Sequence, residues 1–147
     1  MNDSLDLKGN ITLELRGPDG QLKDVRNVQN NVTNAGRQAI IDRLQGNTPA
    51  VAQYIAIGTG TTAPTAADTT MQTQVARSLG TFAQPDAHTD SCSVTFAAGT
   101  GTGAITECGR LNDPTAGTLY GRQTFAAVNK GASDSLTVTY DFTYAAG

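Results

Sequence analysis

Leu136-Thr137-Val138-Thr139-Tyr140-Asp141-Phe142-Thr143 alternates apolar and polar side chains without a break. Successive residues of a β-strand point to opposite faces, so this period of two puts Leu136, Val138, Tyr140 and Phe142 on one buried face. The same period recurs at Ile11, Leu13 and Leu15, interleaved with Thr12, Glu14 and Arg16. Gly17-Pro18-Asp19-Gly20 follows as turn chemistry, with Pro presetting φ and Gly closing the turn, and a second strand through Leu22 to Val28 pairs back on the first. Val94-Thr95-Phe96, Ala104 to Leu111 and Leu119 to Val128 read as further strands. Between them lie Gly99-Thr100-Gly101-Thr102-Gly103, Asn112-Asp113-Pro114-Thr115-Ala116-Gly117 and Asn129-Lys130-Gly131-Ala132-Ser133-Asp134. Short strands at near-regular intervals joined by such turns predict a mainly β fold, an antiparallel β-sandwich or barrel-like domain.

One segment reads as a helix. Thr33 or Asn34 can cap it, Ala35 to Leu44 follow with Ile40, Ile41 and Leu44 as an apolar stripe, and Gly46 can end it. A shorter helical turn is expected around Thr69 to Arg77, after the small-residue loop of residues 58–70. The expected organisation is an N-terminal arm over residues 1–9 and a single β-rich domain with one packed α-helix over residues 10–147.

The chain has 147 residues, enough to bury a core of its own without staples. Its charged fraction is 16%, with 10 basic and 13 acidic side chains and a net charge of -3, and no block of like charge suggests disorder. The acidic balance and the lack of a Lys/Arg cluster argue against a nucleic-acid partner, since phosphate neutralisation needs basic patches. Met1-Asn2-Asp3-Ser4-Leu5-Asp6-Leu7-Lys8 has neither the basic start nor the apolar stretch of a secretory signal. No run approaches the ~20 apolar residues of a membrane span, so no membrane partner is expected.

Residues that could carry chemistry are few. His88 is the single histidine, in Asp86-Ala87-His88-Thr89-Asp90, where spacing by two would put Asp86, His88 and Asp90 on one strand face as a weak candidate for a divalent metal. The competing reading is a polar hairpin tip between strands ending near Phe82 and containing Val94. No nucleophile-elbow motif accompanies the histidine, so no catalytic residues and no cofactor are assigned. Gly58-Thr59-Gly60 and Gly99 to Gly103 look like phosphate loops, but no Gly-Lys-Ser/Thr follows and turns account for them better. Asn10-Ile11-Thr12 and Asn31-Val32-Thr33 match the glycosylation sequon by coincidence of a Thr-rich composition. Cys92 and Cys108 fall on two candidate neighbouring strands: they form a possible disulfide, with two buried free thiols favoured in a reducing cytoplasm. With 4 Tyr and no Trp, aromatic platforms for sugar binding are sparse.

The order of three motifs is informative. Tyr54 to Pro64 (YIAIGTGTTAP), Gly103-Ala104-Ile105-Thr106-Glu107, and Phe125 to Gly131 (FAAVNKG) before the final strand succeed one another as in small virion structural proteins of tailed bacteriophages, which this chain resembles from about Ile11 to Tyr144. The resemblance implies a non-enzymatic protein made in the bacterial host cytoplasm and placed in the virion. Its first expected role is a capsid decoration (cement) protein that binds the major capsid protein and copies of itself, as a trimer or dimer matched to capsid symmetry. Residues Asn2 to Lys8 would then form a clamping arm with Leu5 and Leu7 as apolar partner-binding anchors, adding a strand to a neighbour's sheet edge. A tail, baseplate or fibre-base component is the alternative within that class, and a carbohydrate-binding β-sandwich module is the alternative outside it.

Overall fold

The computed structural model describes residues 5–146. Among them nine strands and one helix follow in order: β1 (Leu5–Arg16), β2 (Leu22–Val32), α1 (Asn34–Leu44), β3 (Tyr54–Gly58), β4 (Gln74–Leu79), β5 (Thr81–Ala83), β6 (Thr89–Phe96), β7 (Gly103–Leu111), β8 (Leu119–Lys130) and β9 (Ser135–Ala146). All neighbouring strands are antiparallel, in the spatial order β4-β3-β7-β8-β2-β1-β9-β6-β5. The expected mainly β, sandwich- or barrel-like fold with one packed helix is the fold observed.

Two seams divide this sheet into facing halves. At one, β2 reaches β8 only through Asn31↔Arg122 and Val32↔Gly121. Further along, Arg26 spans the gap with its side chain, donating to the carbonyls of Ala126 and Ala127. At the other, β4 and β5 are the two ends of the sheet, yet only Gly80 separates them in the chain. A single bent strand therefore pairs first with β3 and then with β6, which nearly closes the sheet. Gly80 fits because a Cβ there would stand 2.4 Å from Cys92 Sγ.

The alternating residues fill the space between the halves. Ile11 and Leu13 of β1, Phe96 of β6, and Leu136, Val138 and Tyr140 of β9 face Ile55 and Ile57 of β3, Ile105 of β7 and Val128 of β8, all essentially excluded from water. Burial of apolar area at roughly 25 cal/mol per Å² is the main force holding the fold, and it acts across both seams. Gly17–Gly20 forms the expected turn, with the Gly20 amide donating to the Gly17 carbonyl.

Four expectations need correction. Residues 5–9 are not an arm but the start of β1, paired with β9 from Leu5↔Ala146 onward; residues 1–4, the rest of that expected arm, lie outside the described residues. The helical turn expected around Thr69 to Arg77 is irregular chain running into β4, because pairing with β3 supersedes a weak local preference. β6 and β7 are consecutive in sequence but not neighbours in space: the glycine-rich link carries the chain from one half to the other. Finally, α1 does not bury Ile41 and Leu44. Its buried residues are Gly36 and Ala39, and Gly36 lies so close to β8 that a Cβ would stand 2.5 Å from the Tyr120 carbonyl oxygen. Backbone contact at Gly36 sets the helix's rotation and turns the larger residues outward.

Candidate docking face at the helical end

Charged side chains are where chemistry would be sought first, and here most are tied into the fold. Glu107 of β7 is fully buried. Its carboxylate accepts from the amides of Gly60 (3.2 Å), Gln72 (3.1 Å) and Thr73 (2.6 Å) and from Arg122 Nε (2.7 Å). Arg122 of β8 continues to Asp68 (3.0 Å) and to the Thr62 carbonyl (3.0 Å). This network pins the loop between β3 and β4 at several points. It also explains the glycines of the first Gly-Thr-Gly string: a Cβ on Gly58 or Gly60 would meet the Glu107 carboxylate at 2.5 or 2.6 Å. The string admits an internal carboxylate, and Thr106 Oγ1 adds a bond to the Gly60 carbonyl (2.8 Å). Burial works against ionisation of Glu107, but the Thr73 amide, Arg122 and the Gln72 amide outweigh it and hold its pKa below the ordinary value of 4.5.

Asp86, His88 and Asp90 do not converge. Asp86 turns back onto its own hairpin, accepting from the His88 amide (2.7 Å) and the Thr89 hydroxyl (3.2 Å). Asp90 is bound instead to Arg110 (2.7 Å), whose buried guanidinium donates to the Ala52 and Tyr140 carbonyls and lies 5.0 Å from the Phe142 ring centre. Among the described residues no group of three or more His, Cys, Asp or Glu is placed to hold a metal. Arg110, like Arg122 and Lys130, is a buried cation that sequence reading missed, since nothing in a strand pattern marks a basic residue as inward. Cys92 and Cys108 are both buried and free, on strands of different halves, and no disulfide joins them. At the opposite end Lys130 donates to the Ala97 and Asp134 carbonyls, and Lys23 pairs with Asp134 (2.9 Å).

Among the described residues, one apolar surface feature surrounds α1. Leu5 and Leu7, the two residues singled out as anchors, line a groove of about 360 Å³ with Ile40, Ile41, Leu44 and Tyr144; Asp6 and Arg37 border the same space. Leu5 is 70% exposed, Leu44 80% and Ile41 46%. Ile40 is shared with a second hollow of about 230 Å³, which Val51, Phe82, Tyr120 and the Arg110–Asp90 pair also line. Of the nine exposed large apolar side chains among the described residues, five (Leu5, Ile41, Leu44, Val51 and Phe82) line these two adjoining hollows. Scattered apolar residues need no explanation, whereas a gathered patch is a candidate docking surface. Sequence reading found Leu5 and Leu7 but placed Ile41 and Leu44 in the core.

No family model, no curated protein and no solved structure matches this chain.

Proposed function

We propose that this chain is a non-enzymatic structural protein of a tailed-bacteriophage virion, a decoration protein on the outer head surface that stabilises contacts between capsomers. The observation that carries the proposal is the apolar face around α1, set on a nearly closed sheet whose buried charges are engaged internally. Such a body works by binding: a rigid shell presents one sticky surface, and many weak copies on a particle act together through avidity. The three motifs of the phage resemblance fit the same reading, because each has a structural task. Tyr54 to Pro64 and Gly103 to Glu107 meet at Glu107 and Gly60, and Phe125 to Gly131 supplies the seam carbonyls for Arg26 and the Lys130 clamp.

The test separates disrupted virions into heads and tails and quantifies this chain in each by peptide mass spectrometry. Many copies on heads, lost when Leu44→Glu is introduced, is the expected result. Recovery with tails alone would replace the decoration role by a tail or fibre-base role. Absence from both would overturn the virion reading.

A further inference from the structure

β1 enters the sheet before its hairpin partner reaches it. Leu5, Asp6, Leu7 and Lys8 pair with Ala146, Ala145, Tyr144 and Thr143 of β9, whereas the ladder to β2 begins only at Gly9↔Asn30. The end of β2 has by then left for β8. Among the described residues, the edge of Leu5–Lys8 on the β2 side therefore has no backbone partner, and Leu5, Asp6 and Leu7 are the residues that line the α1 groove. An open strand edge beside exposed leucines is a template for another strand.

We infer that the occupant is a second copy of this chain, with Asp6–Lys8 of the two copies paired antiparallel across a two-fold axis centred on Leu7 and Leu5 leaving the ladder, because its counterpart Gly9 is already paired with Asn30. That register puts Leu7 opposite Leu7, and Asp6 of each copy opposite Lys8 of the other. Opposite charges directly across an antiparallel pair are favourable, and like charges are not. Asp6 and Lys8 are free to do this, since both are exposed and their own contact is loose, at 3.9 Å. Leu5 and Leu7 alternate with them and line the groove, and Asp6 borders the same space. Pairing of an edge with its own copy closes on itself and stops at two. With only three residues of edge and one groove per copy, the contact falls below the ~1,600 Å² of a standard interface, so the dimer is weak and concentration-dependent.

The inference rests on reading the α1 face as a docking surface, and its test is independent of where in a virion the protein resides. Sedimentation equilibrium of the full chain over a concentration series should show a monomer–dimer equilibrium. Hydrogen exchange within residues 6–8 should slow as concentration rises. Asp6→Lys or Lys8→Asp alone should weaken dimerisation about tenfold, and the double variant Asp6→Lys/Lys8→Asp should restore it. Leu44→Glu should weaken it without a charge swap able to rescue it. A monomer at every concentration would overturn the pairing while leaving the virion assignment to head–tail fractionation. A dimer indifferent to both single charge swaps, or one that the double swap fails to restore, would also overturn it.

Discussion

Glu107 Oε2 lies 2.7 Å from Arg122 Nε, with the two side chains 0% and 3% exposed. Each is bonded at its remaining positions by loop amides, a loop carbonyl or Asp68. A pair of this kind costs several kcal/mol of desolvation per ion, which only complete hydrogen bonding offsets. Its structural result is specific: a loop of mostly small residues, which buries Met71 against Ala56, Leu111 and Leu119, is held in one place chiefly by polar bonds.

Removing one partner should therefore cost far more than removing both. Arg122→Met strands the Glu107 charge inside the protein and is expected to lower unfolding free energy by about 3–5 kcal/mol in a denaturant titration. Glu107→Gln/Arg122→Met should recover a substantial part of that loss. A cost for the double variant equal to the sum of the Arg122→Met and Glu107→Gln costs would mean that the pairing itself contributes nothing.

The same network sets an acid limit. Burial opposes ionisation of Asp68 too, but the Thr65 amide and Arg122 prevail and hold its pKa below the ordinary 3.8, as Glu107 is held below 4.5. Carboxylates depressed in the folded state contribute stability that is fully present above their unfolded values and lost as pH falls through the folded ones. Unfolding free energy should accordingly be flat in this respect above about pH 5 and decline below 4.5. In Glu107→Gln the decline should be shallower; an unchanged slope would assign the acid sensitivity to other groups.

Gly36→Ala sets two effects against each other. Ala is preferred over Gly inside a helix by about 1 kcal/mol. Yet the new Cβ would stand 2.5 Å from the Tyr120 carbonyl oxygen and 2.7 Å from its Cα, neither of which can swing away as a side-chain tip could. Forcing an atom into a packed contact costs roughly 1–3 kcal/mol and shifts backbone, so the steric effect should win. Thermal melting of Gly36→Ala is expected to begin at lower temperature than wild type, with α1 losing hydrogen-exchange protection first. A raised melting temperature would show that α1 docks with room to spare.

The strand alternation made most of this fold legible: Ile11, Leu13, Leu15, Leu136, Val138 and Tyr140 all face inward as their period requires. The turn at Gly17–Gly20 and the caps at Thr33 and Gly46 were readable for the same reason, being short-range chemistry. What failed was long-range. The rotation of α1 depends on the Gly36–Tyr120 contact, which joins positions far apart in the chain, so periodicity alone assigned Ile41 and Leu44 to the wrong side. The pairing of β6 with β9 rather than β7 is a choice among strands that all look alike locally. Half of the groove's lining was thus visible as exposed apolar residues, at Leu5 and Leu7, and the half on α1 was hidden by its resemblance to a core stripe.

That same strand arrangement decides the chemistry of the cysteines. Cys92 lies opposite Phe82 and Tyr140 within its half of the sheet, and Cys108 opposite Ile57 and Gln123 in the other. Burial pushes the Cys92 thiol up, with Arg110 partly opposing, and burial with the Glu107 charge pushes Cys108 far above the usual thiol range. The thiolate is the reactive form, so both should be inert at neutral pH while the protein is folded. A chromogenic thiol reagent should titrate neither residue in buffer and both after denaturation. Mild oxidation should leave the intact mass unchanged and both thiols titratable on unfolding. Loss of both titratable thiols with the mass decrease of a disulfide would show instead that the two sulfurs, free here in one shared core, can close across it between β6 and β7.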